Sequence, residues 1–366
     1  MREPIRVLVV DDSALVRQML VRALGLDPRI EVVGWARNGV EAIEQSRRLQ
    51  PDVITLDIEM PELTGLEALP HIVRNSKARV LMLSSQDDPE VTYQALTRGA
   101  VDFISKPRGG FATSLSELSD QLVKKIKTAY RIDPAKRTIG HDGSDGRVES
   151  SVAGASGSGT REHVRPPRTA MDSPAHIVAL AASTGGPPAL EQVFSGLPQD
   201  LPVAYLVVQH LPAGFTASFA KRLARISGMP VVEAAMGMRV QPGHGYLAPY
   251  GSHMVVSGRP GRTTVLELLD SPPMHGVRPA ADPLLVSLAN EYGDRGTGVV
   301  LTGMGTDGAK GLMALRNAGG HTIAQDEHTS IVWGMPGAAV KMGAAVLVEP
   351  LDQIAAEVRR HVRGEA

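Results

Sequence analysis

The sequence has no cysteine among its 366 residues, which excludes disulfides, thiolate metal sites and cysteine nucleophiles. Its 38 basic and 39 acidic residues are interspersed, so it lacks the basic patch that nucleic-acid binding requires. No apolar run is long enough to span a membrane. The first apolar run is short and is followed at once by Asp11 and Asp12, which is not the pattern of a signal peptide. We therefore expect a cytoplasmic protein with no nucleic-acid partner and no membrane insertion.

The first third of the chain alternates short apolar runs with helical patterns. This alternation predicts an α/β domain over residues 1–132, a (βα)5 unit with a parallel sheet covered on both faces. The predicted strands are 5–10, 31–36, 52–57, 78–85 and 101–107, and a helix over 114–132 closes the domain. Residues 133–174 are rich in Gly, Ser and Pro with few large apolar side chains, which predicts a flexible linker.

The remainder, residues 175–366, shows a second alternating pattern. It predicts a doubly wound, mostly parallel α/β domain. The predicted strands are 176–183, 203–210, 229–235, 297–303 and 344–350, with helices over 190–197 and 308–319. The turn-rich stretch 242–269 predicts an antiparallel hairpin insertion.

Charged and hydroxyl side chains follow the predicted strands of the first domain. They are Asp11 and Asp12, Asp57, Ser84 with Ser85, and Lys106. Ligands bind outside the carboxyl ends of such strands, and grouped carboxylates favour a hard cation such as Mg²⁺. A single strand-end aspartate could be a helix N-cap. The combination of these residues instead indicates that Asp57 is a nucleophile towards a phosphoryl group. Lys106 and Ser84 would then contact the oxygens of that phosphoryl group.

The segments VDDS, TLDIEMPELTGLE, MLSS and SKP resemble the response-regulator receiver family over about residues 4–130. The resemblance implies that Asp57 is the phosphoacceptor. It also implies a Mg²⁺ site formed by Asp11, Asp12 and Asp57 with the Glu59 carbonyl. Leu63-Thr64 departs from the Met-Asp more usual in the family, but lies beyond this cluster.

Three predicted strand ends in the second domain carry a serine, a histidine and an aspartate. Ser183 ends an apolar strand and precedes two glycines and a helix, where amides favour developing negative charge. His210 and Asp307 follow two other strands. A base that takes the serine proton and a carboxylate that orients it make a hydrolase triad, and the Met304 amide, between two glycines, is a candidate oxyanion donor.

Each of these residues also has a simpler interpretation. The Ser183 turn could cradle a phosphate, although G-x-G-x-x-G and a P-loop lysine are both missing. His210 alone could be a core histidine, and Asp307 alone could cap the helix that begins near Gly308. The order Ser, His, Asp also differs from that of α/β-hydrolases.

The segments AASTGGPPAL, VVQHLP, GHGYLAP, LTGMGTDGAKG and AQDEHTSIVWGMP resemble the chemotaxis protein-glutamate methylesterase family over about residues 175–350. The resemblance implies a Ser183, His210 and Asp307 triad, with the Thr184 and Met304 amides near the oxyanion and no cofactor in the esterase site. GVRPAADPLL departs from the usual R-P-S-V-D.

The two resemblances together imply a phosphorylation-activated serine esterase. Its substrates would be glutamate methyl esters on chemoreceptors, with glutamine deamidation as a second activity, and a chemotaxis histidine kinase would be the phosphodonor. Two alternatives are a response regulator with a non-catalytic, partner-binding output domain and a DNA-binding regulator. The sequence shows no basic recognition helix, which a DNA-binding regulator would need.

Overall fold

A computed structural model describes residues 3–84, 89–106, 115–136 and 173–365. Ser85, Pro107 and residues 137–172 of the predicted linker lie outside these ranges. Among the helices described, none combines the length and apolarity needed to cross a lipid bilayer.

The N-terminal region is a five-stranded parallel sheet with the strand order β2-β1-β3-β4-β5. Its central strands are apolar and buried on both faces, as a helix-covered parallel sheet requires. The strands are β1 (Ile5–Val10), β2 (Ile30–Ala36), β3 (Val53–Asp57), β4 (Arg79–Ser84) and β5 (Asp102–Ser105). The helices are α1 (Ala14–Leu24), α2 (Gly39–Leu49), α3 (Gly65–Asn75), α4 (Pro89–Thr97) and α5 (Leu115–Arg131). The predicted (βα)5 architecture is confirmed.

Side chains that cap helices also set the geometry of the loops above this sheet. The Ser13 hydroxyl accepts a hydrogen bond from the Val16 amide at the start of α1. Thr64 and Glu67 form a reciprocal capping box at the start of α3, which satisfies two otherwise unpaired amides. The helix starts, and the loops that carry the acidic residues, are therefore specified locally.

The C-terminal region is a seven-stranded parallel sheet with the order β14-β13-β12-β6-β7-β9-β8. Its strands are β6 (His176–Ala182), β7 (Val203–Gln209), β8 (Val231–Glu233), β9 (Gly245–Leu247), β12 (Gly296–Val300), β13 (His321–Gln325) and β14 (Leu347–Glu349). Its helices are α6 (Gly186–Gly196), α7 (Thr216–Ser227), α8 (Ala281–Tyr292), α9 (Ala309–Asn317), α10 (Met335–Met342) and α11 (Leu351–Arg363). The predicted doubly wound fold is confirmed.

The predicted hairpin over 242–269 is correct only in part. The antiparallel pair is formed by β10 (His253–Ser257) and β11 (Val265–Leu269). In contrast, β9 joins the main sheet in parallel between β7 and β8. The three β9 residues are buried. Pairing within the large sheet removes their apolar side chains from water, whereas a solvent-exposed hairpin would leave them exposed.

The two regions pack against each other through α4 and β5 on one side and α6 and α7 on the other. Tyr93 of α4 is fully buried, and its hydroxyl donates to the Phe215 carbonyl at 2.9 Å. The rings of Tyr93 and Phe219 lie 5.1 Å apart, and those of Phe103 and Phe215 lie 4.8 Å apart. Buried apolar side chains therefore continue from one sheet across the contact to the other.

Charged side chains surround this aromatic contact. Arg222 of α7 contacts Glu90 of α4 at 2.6 Å and Glu191 of α6 at 2.5 Å. The side chains of Arg222 and Glu191 are 11% and 13% exposed, so this ion pair is partly shielded from water, whereas Glu90 is 40% exposed. The contact combines apolar burial with specific charge pairing.

Candidate active site and phosphorylation site

Ser183 lies directly beyond β6, half-buried, at the start of a tight turn into α6. Its amide donates to the Thr302 carbonyl at 3.0 Å, and its carbonyl accepts from the Gly186 amide at 2.8 Å. Gly185 has φ +74°, and a Cβ there would lie 2.7 Å from the Ile331 Cβ, so only glycine fits the turn. The N-terminus of α6 therefore faces the serine with its partial positive charge.

His210 and Asp307 meet at the same edge of the sheet. The strand order places β6 between β7 and β12, so residues that follow these three strands are neighbours. His210 Nε2 lies 2.9 Å from Asp307 Oδ2, while the His210 amide donates to the Ala182 carbonyl beside Ser183. Because Nε2 is held by the aspartate, Nδ1 is the ring nitrogen left to accept a proton.

The hydroxyl of Ser183 makes no hydrogen bond to His210 among the contacts of the described chain. The backbone of His210 is hydrogen-bonded to the residue before Ser183, and among the described residues the imidazole is hydrogen-bonded only to Asp307. Such contacts commonly tighten only when a substrate is bound. The structure therefore brings the predicted three residues to one place and forms one of the two hydrogen bonds of a triad.

Asp307 is buried, and three donors surround its carboxylate. Besides His210, the amides of Ala281 and Asp282 donate to it at 2.7 and 3.1 Å. Burial alone would raise the pKa of Asp307, but the His210 hydrogen bond and charge and the two amides hold it below its ordinary value. Asp307 therefore does bind a helix N-terminus, but that of α8 rather than α9.

The amides of the two predicted oxyanion donors have no protein acceptor among the described residues. Within the part of the chain described, neither the Thr184 nor the Met304 amide donates a hydrogen bond. Next to Met304, a Cβ on Gly303 would lie 2.9 Å from the Ser183 Cβ, so the loop backbone lies directly against the serine. Two free donors beside a nucleophile can stabilise a developing oxyanion.

Three further residues contact the site and were missed by the sequence reasoning. The Gln209 side-chain amide donates to the carbonyls of both Ser183 and His210, at 2.9 and 3.2 Å. Asp282 and His275 lie on the other side of Asp307, with His275 Nε2 2.8 Å from Asp282 Oδ2. A polar residue ending a buried strand was the signal available for Gln209, whereas Asp282 comes from the first turn of α8 and His275 from the segment before that helix.

The acidic side chains of the N-terminal region form the second predicted site. Lys106 Nζ contacts Asp11 Oδ2 at 2.8 Å and Asp57 Oδ2 at 2.7 Å. Ser84 Oγ lies 2.6 Å from the Thr92 hydroxyl. Glu59 is exposed and lies two residues after β3, which Asp57 ends.

The donor set of this site fits a divalent cation. Asp11, Asp12 and Asp57 each bring a carboxylate oxygen within 4.8 Å of the others. Burial and the charges of Asp11 and Asp12 raise the pKa of Asp57 to about 6, against the opposing effect of Lys106. This uncompensated negative charge, carried by oxygen ligands, suits Mg²⁺. His275, Asp282 and Asp307 form a second such group, but there the imidazole already binds Asp282.

Side chains of the N-terminal region contact both candidate oxyanion residues. The Thr184 hydroxyl donates to Asp102 Oδ2 of β5 at 2.7 Å, and Lys125 holds the other oxygen of Asp102 at 2.7 Å. Thr128 of α5 contacts the Met304 sulfur. The N-terminal region therefore lies over the Ser183 edge of the catalytic sheet.

Comparison with known families agrees with this architecture. The response regulator receiver domain family matches residues 7–111, and the CheB methylesterase family matches residues 178–358. Fold and site thus define a response regulator with an enzyme-like output domain.

Full-length relatives identify the family. A Pyrococcus abyssi protein named protein-glutamate methylesterase/protein-glutamine glutaminase is 45% identical over 98% of this chain and 94% of its own. A Symbiobacterium thermophilum protein of the same name is 44% identical over 99% of this chain and 98% of its own. The crystal structure of the Thermotoga maritima CheB methylesterase catalytic domain is 38% identical, with a TM-score of 0.49, and covers 51% of this chain and 97% of that one. The chain belongs to the CheB protein-glutamate methylesterase/protein-glutamine glutaminase family, and the resemblance inferred from the motifs is confirmed.

Proposed function

We propose that this protein is a chemotaxis serine hydrolase that demethylates glutamate methyl esters and deamidates glutamines on chemoreceptors, under control of Asp57 phosphorylation. The observation that carries the proposal is the His210–Asp307 hydrogen bond at the sheet edge that also holds Ser183. The names of the full-length relatives supply the substrate class.

The proposed chemistry assigns each group one task. Ser183 Oγ attacks the glutamyl carbonyl as its proton moves to His210 Nδ1, and Asp307 stabilises the resulting imidazolium through Nε2. The Thr184 and Met304 amides donate to the oxyanion of the tetrahedral intermediate. The His210 imidazolium then gives its proton to the departing methoxide oxygen, which leaves as methanol, or to the departing nitrogen of a glutamine, which leaves as ammonia. Water, deprotonated by His210, releases glutamate from the acyl-enzyme.

The low pKa of Asp307 supports this assignment. An ionised carboxylate is needed to stabilise the imidazolium, and the fold keeps Asp307 ionised in a buried position. The amides of α8 share this task with His210, so the carboxylate is positioned before the substrate arrives. We propose that the esterase site works without a metal or other cofactor.

The direct test is methanol release from methylated receptor membranes. Ser183→Ala should reduce the rate by about 10⁴-fold or more, because the remaining groups cannot form an acyl-enzyme. Ser195→Ala is the matched control, since this exposed hydroxyl of α6 bonds, within the described parts of the chain, only to the Gln192 carbonyl. Ammonia release from receptor glutamines should follow the same pattern. Substantial activity in Ser183→Ala would refute the proposed nucleophile.

The contact between the two regions supports control by obstruction. Asp102 and Thr128 touch the residues on either side of the proposed oxyanion position, where they would obstruct a receptor helix approaching Ser183. We propose that this arrangement is the closed state, and that phosphorylation shifts the population towards an open state.

The phosphorylation site connects to this contact through α4. A Mg²⁺ ion held by Asp11, Asp12, Asp57 and the Glu59 carbonyl would supply charge neutralisation for the phosphoryl oxygens. Lys106 would pair with one of those oxygens, and the Ser84 hydroxyl would turn to another. Ser84 is bonded to Thr92, the neighbour of Tyr93, so its movement changes the surroundings of the helix that binds the catalytic domain.

Acetyl phosphate with Mg²⁺ tests this control. We expect it to raise methanol release by the wild type and to leave Asp57→Asn at its basal rate. Asp52→Asn is the matched control, because this aspartate immediately precedes β3, whereas Asp57 ends the strand. Equal stimulation of Asp57→Asn would remove the phosphoacceptor from the proposal.

The domain limits and the cellular setting remain part of the proposal. We assign residues 1–132 to the receiver, 133–174 to the linker and 175–366 to the methylesterase domain, and limited proteolysis should cut first within 133–174. The encounters with chemoreceptors and with a histidine kinase as phosphodonor are proposed to take place in the cytoplasm, which cell fractionation can test.

A further inference from the structure

A second histidine lies on the side of Asp307 opposite His210. His275 belongs to the segment between β11 and α8, where Met274 and Val277 form an isolated bridge. Its Nε2 is 2.8 Å from Asp282 Oδ2 and 4.0 Å from Asp307 Oδ1. One ring nitrogen of His275 therefore lies within 4.0 Å of two carboxylates, and the more distant of them, Asp307, binds the proposed base.

The two carboxylates are buried side by side. Their side chains are 3% and 2% exposed for Asp282 and Asp307, and the Asp282 amide donates to Asp307 Oδ1 at 3.1 Å. The Asp282 carboxylate also accepts from the Gly311 amide at 2.7 Å. Two adjacent buried anions repel each other, so that without compensation they tend to share a proton.

The compensation comes from one imidazole on each side. His210 faces Asp307, and His275 faces Asp282 from the β11–α8 segment. The hydroxyl of Thr306, in the loop before α9, lies 3.4 Å from His275 Nδ1. Among the described residues, the charged groups in contact with His275 are Asp282 of α8 and Asp307 before α9. The four groups form the row His210, Asp307, Asp282, His275.

We propose that His275 is a positioning residue of the esterase: by binding Asp282, it leaves Asp307 ionised and directed at His210. The inference rests on the proposed triad and extends it to a pair of residues that do not touch the substrate. Loss of His275 would place an uncompensated anion beside Asp307. The added negative charge would favour protonation of the Asp282–Asp307 pair and of His210, and each change removes the active form at low pH.

Two substitutions separate the hydrogen bond from the ability to carry a positive charge. His275→Gln keeps an N–H donor within reach of Asp282 but cannot be protonated, whereas His275→Ala offers neither. His328→Ala is the matched control, because this exposed histidine of the same domain has no side-chain partner among the described residues. We expect the acidic limb of the kcat profile to move up by about one pH unit in both His275 variants.

The size of kcat at the optimum pH distinguishes the two variants. His275→Ala should lose about tenfold in kcat with little change in KM, because the receptor contacts are untouched. His275→Gln should recover most of this loss. The measurement is methanol release by the full chain with acetyl phosphate and Mg²⁺, from pH 5 to 9, and thermal unfolding confirms that each variant is folded.

Ser183→Ala is assayed in parallel to separate this inference from the proposed function. If Ser183→Ala is inactive but both His275 variants follow the wild-type pH profile, the positioning role is overturned and the triad stands. A uniform loss of rate at all pH values in both variants would likewise overturn it, since it indicates a structural role of the loop. An active Ser183→Ala protein would overturn the triad and this inference together.

Discussion

The hydroxyl of Tyr93 offers a sharp test of the closed state. Tyr93→Phe removes one interdomain hydrogen bond, to the Phe215 carbonyl at 2.9 Å, and keeps the ring that packs on Phe219. The carbonyl is not left without a donor, because the Ser218 hydroxyl and the Phe219 amide also bind it, at 2.9 and 3.1 Å. The substitution therefore removes the hydrogen bonding of the Tyr93 hydroxyl, to the Phe215 carbonyl and to Ser218, without creating a cavity or leaving this carbonyl without a donor.

The expected magnitude follows from these contacts. A neutral hydrogen bond whose loss leaves no buried group unpaired contributes about 1 kcal/mol. A change of about 1 kcal/mol shifts the ratio of open to closed molecules about fivefold. Basal methanol release should therefore rise about fivefold. Release by the fully phosphorylated protein should not change, so the stimulation factor should fall by the same ratio.

The assay compares methanol release before and after acetyl phosphate for the wild type, Tyr93→Phe and Tyr130→Phe. Tyr130 is the matched control, because it lies on α5, is 40% exposed and stacks under Arg79 rather than on the catalytic domain. A basal rate in Tyr93→Phe equal to that of Tyr130→Phe would show that this contact does not restrain the enzyme. A lower maximal rate would show that the contact serves catalysis instead of inhibition.

Three further predictions concern stability, packing and release. The pKa of Asp57 is about 6 in the folded protein against an ordinary 3.8, so the ionised carboxylate destabilises the folded state. Without Mg²⁺, Asp57→Asn should therefore raise the free energy of unfolding by up to about 3 kcal/mol above pH 6 and by little below pH 4. A stability gain in urea titrations that does not vary with pH would contradict this. In Gly186→Ala, the new Cβ would lie 2.0 Å from Gln209 Oε1. We therefore expect the free energy of unfolding to fall by about 1–3 kcal/mol and kcat to fall at least tenfold. A wild-type kcat would show that the Gln209 contact is dispensable. Asp102→Ala frees the Thr184 hydroxyl from a charge-assisted hydrogen bond, and basal methanol release should rise about tenfold; an unchanged rate would exclude Asp102 from the restraint.

Much of the fold can be predicted from the sequence, because buried parallel strands are continuous apolar runs. The runs that became β1, β6 and β7 are of this kind, and each observed strand lies within the predicted bounds. Gly245–Leu247 was assigned to a hairpin because turn residues surround it. Its pairing with β7 depends on residues some forty positions away, and no local pattern reports such a pairing.

The candidate site was predictable to the extent that its residues end strands. Ser183, His210 and Asp307 follow strands that are neighbours in the sheet, so strand ends were sufficient to group them. Asp282 and His275 instead reach the site from the start of a helix and from a loop. Asp102 comes from the other domain, and no pattern within residues 175–366 could reveal it.

The contact of Tyr93 with Phe215 joins two parts of a single polypeptide. The restraint on the esterase is therefore a unimolecular equilibrium, and the fraction of active molecules at a given phosphorylation level does not depend on how many copies a cell makes. Dilution, which weakens an inhibitor supplied as a separate protein, leaves this one unchanged. Cells with different amounts of the enzyme would therefore differ in total demethylation capacity while sharing the same dose response to the phosphoryl signal.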